Sequence, residues 1–225
     1  MPRPQPLSAA PGAGPVRHPD DLVVALLAAG VLAGTTRAAG RDVGPGERRV
    51  FEVVNRYPSW LEYLTWLPMQ LGSLWGPFAV GAVAWWRLRS WRAAVGAVAC
   101  GVLAWQLAKA VKAVVERGRP LDELDDVVRR LGTPREGLGF VSGHAAVSAA
   151  IATTMSPYLS RPGRAGMMLA AAAVGTARIH VAAHLPLDVV GGAALGVVVG
   201  EVWRFAVGID PAAGAVEQDE GAVDA

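Results

Sequence analysis

Cysteine is almost missing from this sequence: Cys100 stands alone among 225 residues, so no intrachain disulfide can brace the fold. It lies inside an apolar run, where a lone cysteine reads as a small buried side chain. Charge is scarce too, at 18% of residues against about 25% in an ordinary soluble domain. A net charge of +2 with no dense basic tract leaves nucleic acid without an electrostatic footprint. There is no duplicated half and no matched pair of broken spans of the kind that builds transporters. The segment HVAAH, His180 to His184, lacks the glutamate of HExxH and runs into Pro186, so no metal site is expected there. The acids Asp122, Glu123, Asp125 and Asp126 precede Arg129 and Arg130, an order that suits a helix dipole, and read as a solvated face.

What the sequence has in quantity is apolar length. Hydrophobic residues make up 52% of the chain, gathered into long blocks as expected where lipid is the solvent. Six blocks can be drawn, Leu22 to Ala39, Leu61 to Trp86, Ala93 to Val115, His144 to Leu159, Ala165 to Ala183, and Pro186 to Val207. A helix needs about 20 residues to cross about 30 Å of hydrocarbon, so the second is comfortable and the fourth is short. Residues 1–19, with six prolines, and residues 208–225, acidic and rich in Ala and Gly, read as flexible tails around a membrane domain at 20–207. The first block follows no small-residue cleavage pattern, so it is expected to stay as the first span.

Two connections carry amphipathic patterns. Val50, Val53, Val54 and Tyr57 share one helical face, as do Leu121, Leu124, Val128 and Leu131, which predicts two helices lying along the membrane surface. The fold class predicted is therefore all-α, an integral membrane bundle of six transmembrane helices with short interfacial helices. Arg87, Arg89 and Arg92 beside Trp85, Trp86 and Trp91, and the turn with Arg161 and Arg164, mark one side as cytoplasmic, together with both termini. The opposite connections hold five arginines each, at 37–56 and 117–135, so a bare Lys/Arg tally slightly opposes that orientation.

Ionisable residues within apolar spans are costly, about 2.5–3.5 kcal/mol at a helix centre, and call for a purpose. Here Lys109, Lys112 and Glu116 end the third block, His144 opens the fourth, Arg178 and His180 end the fifth and Asp188 opens the sixth. In an alternating bundle all four places reach one membrane face, which predicts a shared site. Ser142 is placed to cap the fourth helix, leaving the N–H groups of Gly143 and His144 as an anion cradle. Pro186 suits the first turn of the sixth helix and puts Asp188 where its carboxylate can reach His184. A carboxylate on one imidazole nitrogen fixes the tautomer and frees the other to act as nucleophile or base. Lys112, Arg119 and Arg178 supply three cations for phosphoryl oxygens, the outline of a phosphoryl-transfer site.

These residues resemble the type 2 phosphatidic acid phosphatases (PAP2), a family whose soluble relatives include bacterial acid phosphatases and vanadium haloperoxidases. The family pattern K-x6-R-P is matched by KAVVERGRP, Lys112 to Pro120, P-S-G-H by VSGH, Val141 to His144, and S-R-x5-H-x3-D by ARIHVAAHLPLD, Ala177 to Asp188. Val141 replaces the usual proline and Ala177 the usual serine, which bears on rate and substrate preference. The resemblance spans roughly residues 22–207 and implies a PAP2/haloperoxidase-like core. It also implies a metal-independent membrane phosphatase, with no cofactor, acting on a lipid phosphate or diphosphate such as phosphatidic acid or undecaprenyl diphosphate. His184 would form a phosphohistidine, Asp188 would orient it, and His144 would serve as acid and then base. Lys112, Arg119, Ser142, Gly143 and Arg178 would hold the phosphoryl oxygens. His180 matches no family role and reads as a packing residue. A multi-pass protein of the cell membrane follows, its partners the bilayer and the lipid phosphate, its site on the extracytoplasmic face. The alternatives are a transporter and a catalytically inactive lipid-binding member of the same fold.

Overall fold

The computed structural model describes residues 14–134 and 136–210 of the chain. The predicted flexible tails lie outside the described residues except for 14–19 and 208–210. Among the described residues regular structure is all-helical: α1 (Asp20–Ala39), α2 (Pro45–Asn55), α3 (Leu61–Met69), α4 (Gly76–Leu88), α5 (Trp91–Val115), α6 (Pro120–Glu123), α7 (Gly143–Met155), α8 (Arg161–His180) and α9 (Pro186–Val207). The apolar blocks reappear as α1, α5, α7, α8 and α9, with one difference in kind. The block from Leu61 to Trp86 is two helices, because Pro68 removes a backbone donor near the end of α3 and a 3-10 turn at Gln70–Gly72 follows. Gly72 sits there for space: a Cβ would strike the backbone and side chain of His144.

α7 is the central element, buried along its whole length beyond its first turn. With 13 residues it is about 20 Å long, short of the hydrocarbon thickness. A 3-10 turn at Ser156–Tyr158 continues it. α9 lies against α7 through Gly192, Gly196 and Gly200, one per turn; a Cβ on these would meet the Ser142 carbonyl, the Ala146 carbonyl and the Thr153 side chain. Small residues at this spacing let two helix backbones approach, which is how helices associate where lipid removes the hydrophobic drive. The core accordingly runs to alanine: Ala104, Ala108, Ala146 and Ala150 pack with Phe140, Val141, Leu195 and Val199.

Many of the large apolar side chains point the other way. Leu26 and Leu27 of α1, Leu64 and Leu67 of α3, Trp85 and Trp86 of α4 and Leu103 of α5 are all exposed. A small-residue core under an apolar exterior is what a lipid-facing bundle needs. Three segments, Asp20–Ala39, Trp91–Glu123 and Pro186–Val207, are long and apolar enough to cross a membrane by length and composition. Arg87 lies 5.3 Å over the Trp86 ring and Arg92 4.7 Å over Trp91, so aromatic and cationic groups pair at that end of the bundle. The described ends of the chain meet at that end too, where Val16 and Ile209 form an isolated antiparallel bridge.

The two predicted surface helices fare differently. α2 forms, and the face with Val50, Val53 and Tyr57 is exposed while Phe51 and Asn55 are buried. The helix predicted over Leu121 to Leu131 does not form beyond Glu123. Asp122 and Glu123 turn back to accept from the N–H groups of Arg119 and Gly118, and Leu124 is extended. Beyond it the backbone finds tertiary partners: the Asn55 side chain accepts from the Val128 N–H and donates to the Val128 carbonyl.

Candidate active site

The turn between α8 and α9 is built by hydrogen bonds that close the end of α8. The Ala183 N–H donates to the Arg178 carbonyl and the Ala182 N–H to Ile179, with Ala182 left-handed at φ 56°. That pattern is a Schellman motif with alanine at the position where glycine is usual. It reverses the chain and leaves His184 pointing from a buried corner, 3% exposed. Pro186 then starts α9, and Asp188, fully buried, accepts a hydrogen bond from the Leu185 N–H at 2.9 Å. Its Oδ2 stands 3.5 Å from Nδ1 of His184, within the reach predicted from the spacing but without a hydrogen bond, so that Nδ1 has no hydrogen-bond partner among the described residues.

Ser142 caps α7, its hydroxyl accepting from the Ala145 N–H at 3.4 Å, and its own N–H donates to the Asp188 carbonyl at 2.8 Å. The start of α7 is thus bonded directly to the start of α9. The N–H groups of Gly143 and His144 lie in that first turn, where no intrahelical acceptor exists. His144 is half-buried and within electrostatic reach of Arg178, His184 and Lys112.

The three cations converge. Lys112 donates to the carbonyls of Leu138 and Gly139 at 2.8 and 2.7 Å rather than to Glu116. Arg119 donates to the carbonyls of Glu136, Gly137 and Ala183, which ties the 117–142 connection to the α8–α9 turn. Arg178 is 7% exposed, its Nη1 meeting only the thioether of Met69 at 3.8 Å and its Nε unsatisfied among the described residues. A buried guanidinium with so weak an acceptor keeps donors for an anion. Burial and then the charges of Lys112, Arg178 and Arg119 hold His184 well below the ordinary imidazole value of 6.5, so the ring is neutral at physiological pH.

Other predicted polar residues fall outside this group. His180 turns away, its Nε2 3.3 Å from the Tyr57 carbonyl while its own carbonyl accepts from Asn55 and Arg130, a packing role as expected. Lys109 lies 3.5 Å over the Trp105 ring. Val141 is buried in the core beside Phe140, and Ala177 packs with Met69, Val181 and Ala183, so both departures from the family pattern are filled by apolar contacts. No group of three or more His, Cys, Asp or Glu side chains suited to a metal occurs among the described residues.

Two site residues were not foreseen. Arg117, in the middle of the KAVVERGRP segment, is buried and donates to Asp188 Oδ1 at 3.0 Å. Glu47 of α2 accepts from both terminal nitrogens of Arg117, at 3.0 and 2.6 Å, and from the Leu187 N–H at 2.9 Å. One signal was available in the sequence. Glu47, Phe51 and Asn55 form an i, i+4, i+8 stripe on α2, and it is this stripe that faces inward.

One end of the all-helical bundle thus gathers three cations, two imidazoles and a buried carboxylate. The chain belongs to the PAP2 superfamily, whose family model matches residues 77–207. Its fold is similar to that of LpxE from Aquifex aeolicus, with 25% identity over 69% of this chain and 92% of that one and a TM-score of 0.61. It is also similar to a transmembrane PAP2-type phosphatidylglycerolphosphate phosphatase from Bacillus subtilis, with 19% identity, coverage of 82% and 94% and a TM-score of 0.59. No curated protein sequence matches the chain.

Proposed function

We propose that this protein is an integral membrane lipid phosphatase that hydrolyses a phosphomonoester or diphosphate through a phosphohistidine. The convergence of Lys112, Arg119 and Arg178 on a His184 whose Nδ1 stands 3.5 Å from the Asp188 carboxylate carries this reading. In the first step the free nitrogen of His184 attacks phosphorus. The bond from phosphorus to the leaving lipid oxygen breaks, and His144 gives that oxygen its proton. In the second step water attacks the same phosphorus and passes a proton to His144. The P–N bond breaks, and its electron pair returns to the imidazole. Lys112, Arg119, Arg178, the Ser142 hydroxyl and the Gly143 N–H hold the equatorial oxygens as charge builds on them. Asp188 stabilises the imidazolium character of His184 in both steps. No metal is called for.

The lipid part of the reading rests on the surroundings. An apolar groove of about 240 Å³ runs between α7, α8 and α9, lined by Ala145, Ala149, Gly175, Val189 and Ala193 among others. Its lining includes Ala145 and Val189, the chain neighbours of His144 and Asp188, a placement that suits a chain left in lipid while its phosphate reaches the cations. Phosphatidate and a polyprenyl diphosphate of the undecaprenyl type are the substrate classes proposed. Six spans with the site on the extracytoplasmic face of the cell membrane complete the proposal. The test is phosphate release from a panel of lipid phosphates in detergent with chelator present, comparing wild type with His184→Ala. Activity in the wild type that His184→Ala lacks supports the reading; a requirement for added metal contradicts it.

A further inference from the structure

The proposed reaction uses Asp188, and Asp188 has a competing partner. Arg117 binds Oδ1 at 3.0 Å while His184 stands 3.5 Å from Oδ2, so an arginine and an imidazole share one fully buried carboxylate. Alone, the arginine would neutralise the aspartate and leave no charge to meet the imidazolium that forms on attack. The structure supplies a second carboxylate. Glu47, only 8% exposed at its side chain, grips the same guanidinium through both oxygens. The buried set Glu47, Arg117 and Asp188 therefore sums to a single negative charge, matched to the single positive charge His184 acquires.

We propose that Glu47 and Arg117 are positioning residues that set the charge and the aim of Asp188 for the proposed reaction. Glu47 draws Arg117 away from full pairing with Asp188 and, by accepting from the Leu187 N–H, fixes the first turn of the helix that carries Asp188. Arg117 in turn holds Oδ1 so that Oδ2 faces the imidazole. Among the described residues, the other charged or titratable groups about His184 are Lys112 of α5, Arg119 of the connection, His144 of α7 and Arg178 of α8. All are cationic or imidazole, so Glu47 and Asp188 are the negative charges that balance the centre.

This inference rests on the phosphohistidine reading, and the experiment separates the two. Phosphate release from dioleoyl phosphatidate and from undecaprenyl diphosphate in detergent is followed for wild type, Glu47→Gln, Arg117→Gln and the double variant, across pH. Wild type inert toward both substrates would count against the proposed function, and with it the role given to Glu47. With an active wild type, Glu47→Gln is expected to lose about 10- to 100-fold in kcat with KM little changed, as when an outer partner of a reacting group is removed. Its acid limb should move to lower pH, because the field on the imidazole is less negative. The double variant, which restores the single negative charge, should lose no more than the worse single variant. Wild-type kcat in Glu47→Gln, or losses that multiply in the double variant, would overturn the proposal. Should Glu47→Gln not fold, Glu47→Asp keeps the charge with a shorter reach: a loss in kcat at unchanged KM supports the proposal, and wild-type kcat overturns it.

Discussion

Asp188 meets three groups with its two oxygens: the Leu185 N–H, the Arg117 guanidinium and the His184 ring. The His184 half of that arrangement was legible in the sequence, because a proline between the two residues breaks the chain into two helix ends that face each other. The Arg117 half was not, since its carboxylate partners lie 70 and 71 residues away and an arginine beside Lys112 and Arg119 looks like one more surface cation. Histidine burial at this site has a consequence for stability. The folded state holds His184 neutral below the pH at which the unfolded chain protonates it, so below about pH 6.5 the unfolded state binds more protons. Stability is therefore fully present above that pH and is lost as pH falls below it. Thermal unfolding in detergent at pH 7.5, 6 and 5 should show a falling midpoint, and His184→Asn should make the fall shallower; an unchanged slope would contradict the assignment.

At the scale of elements, the helices that carry the site were readable from apolar length, and their inward faces were less so. α2 shows why. Its apolar face of Val50, Val53 and Tyr57 looks outward, and its inward stripe carries Glu47 and Asn55, because in lipid the outer surface takes the greasy side chains and polar groups look inward for partners. The 121–131 segment failed as a helix for a related reason: Asp122 and Glu123 spend their carboxylates on the preceding N–H groups, and Asn55 binds the Val128 backbone as a strand would. The α7–α9 contact makes a sharper claim. Gly196→Ala should destabilise the detergent-solubilised protein by about 1–3 kcal/mol, because its Cβ meets the Ala146 carbonyl and the Ala150 nitrogen. Gly166→Ala in α8, where a Cβ meets nothing within 4 Å, should instead stabilise by about 0.5–1 kcal/mol. Equal shifts in the two variants, read as unfolding midpoints, would remove the close-packing argument.

For the whole molecule, composition pointed to lipid before any motif did, and the exposed leucines and tryptophans over an alanine and glycine core bear the membrane reading out. Span number was less legible, because α7 is short and buried, and the second apolar block bends at Pro68 to bring Gly72 against His144. The proposed orientation has its own test: with Cys100 buried, a cysteine placed by Asp125→Cys, an exposed position, should react with a membrane-impermeant maleimide on intact cells. Labelling only after lysis would invert the topology. The central claim is that His184 attacks phosphorus at a metal-free membrane site. Its most direct measurement is a rapid acid-free quench of the purified protein turning over a ³²P-labelled lipid phosphate with chelator present. The prediction is label on the protein that survives base, is released by acid and vanishes in His184→Ala together with phosphate release. Label or turnover that persists in His184→Ala, or turnover that appears only with added metal, would contradict the account.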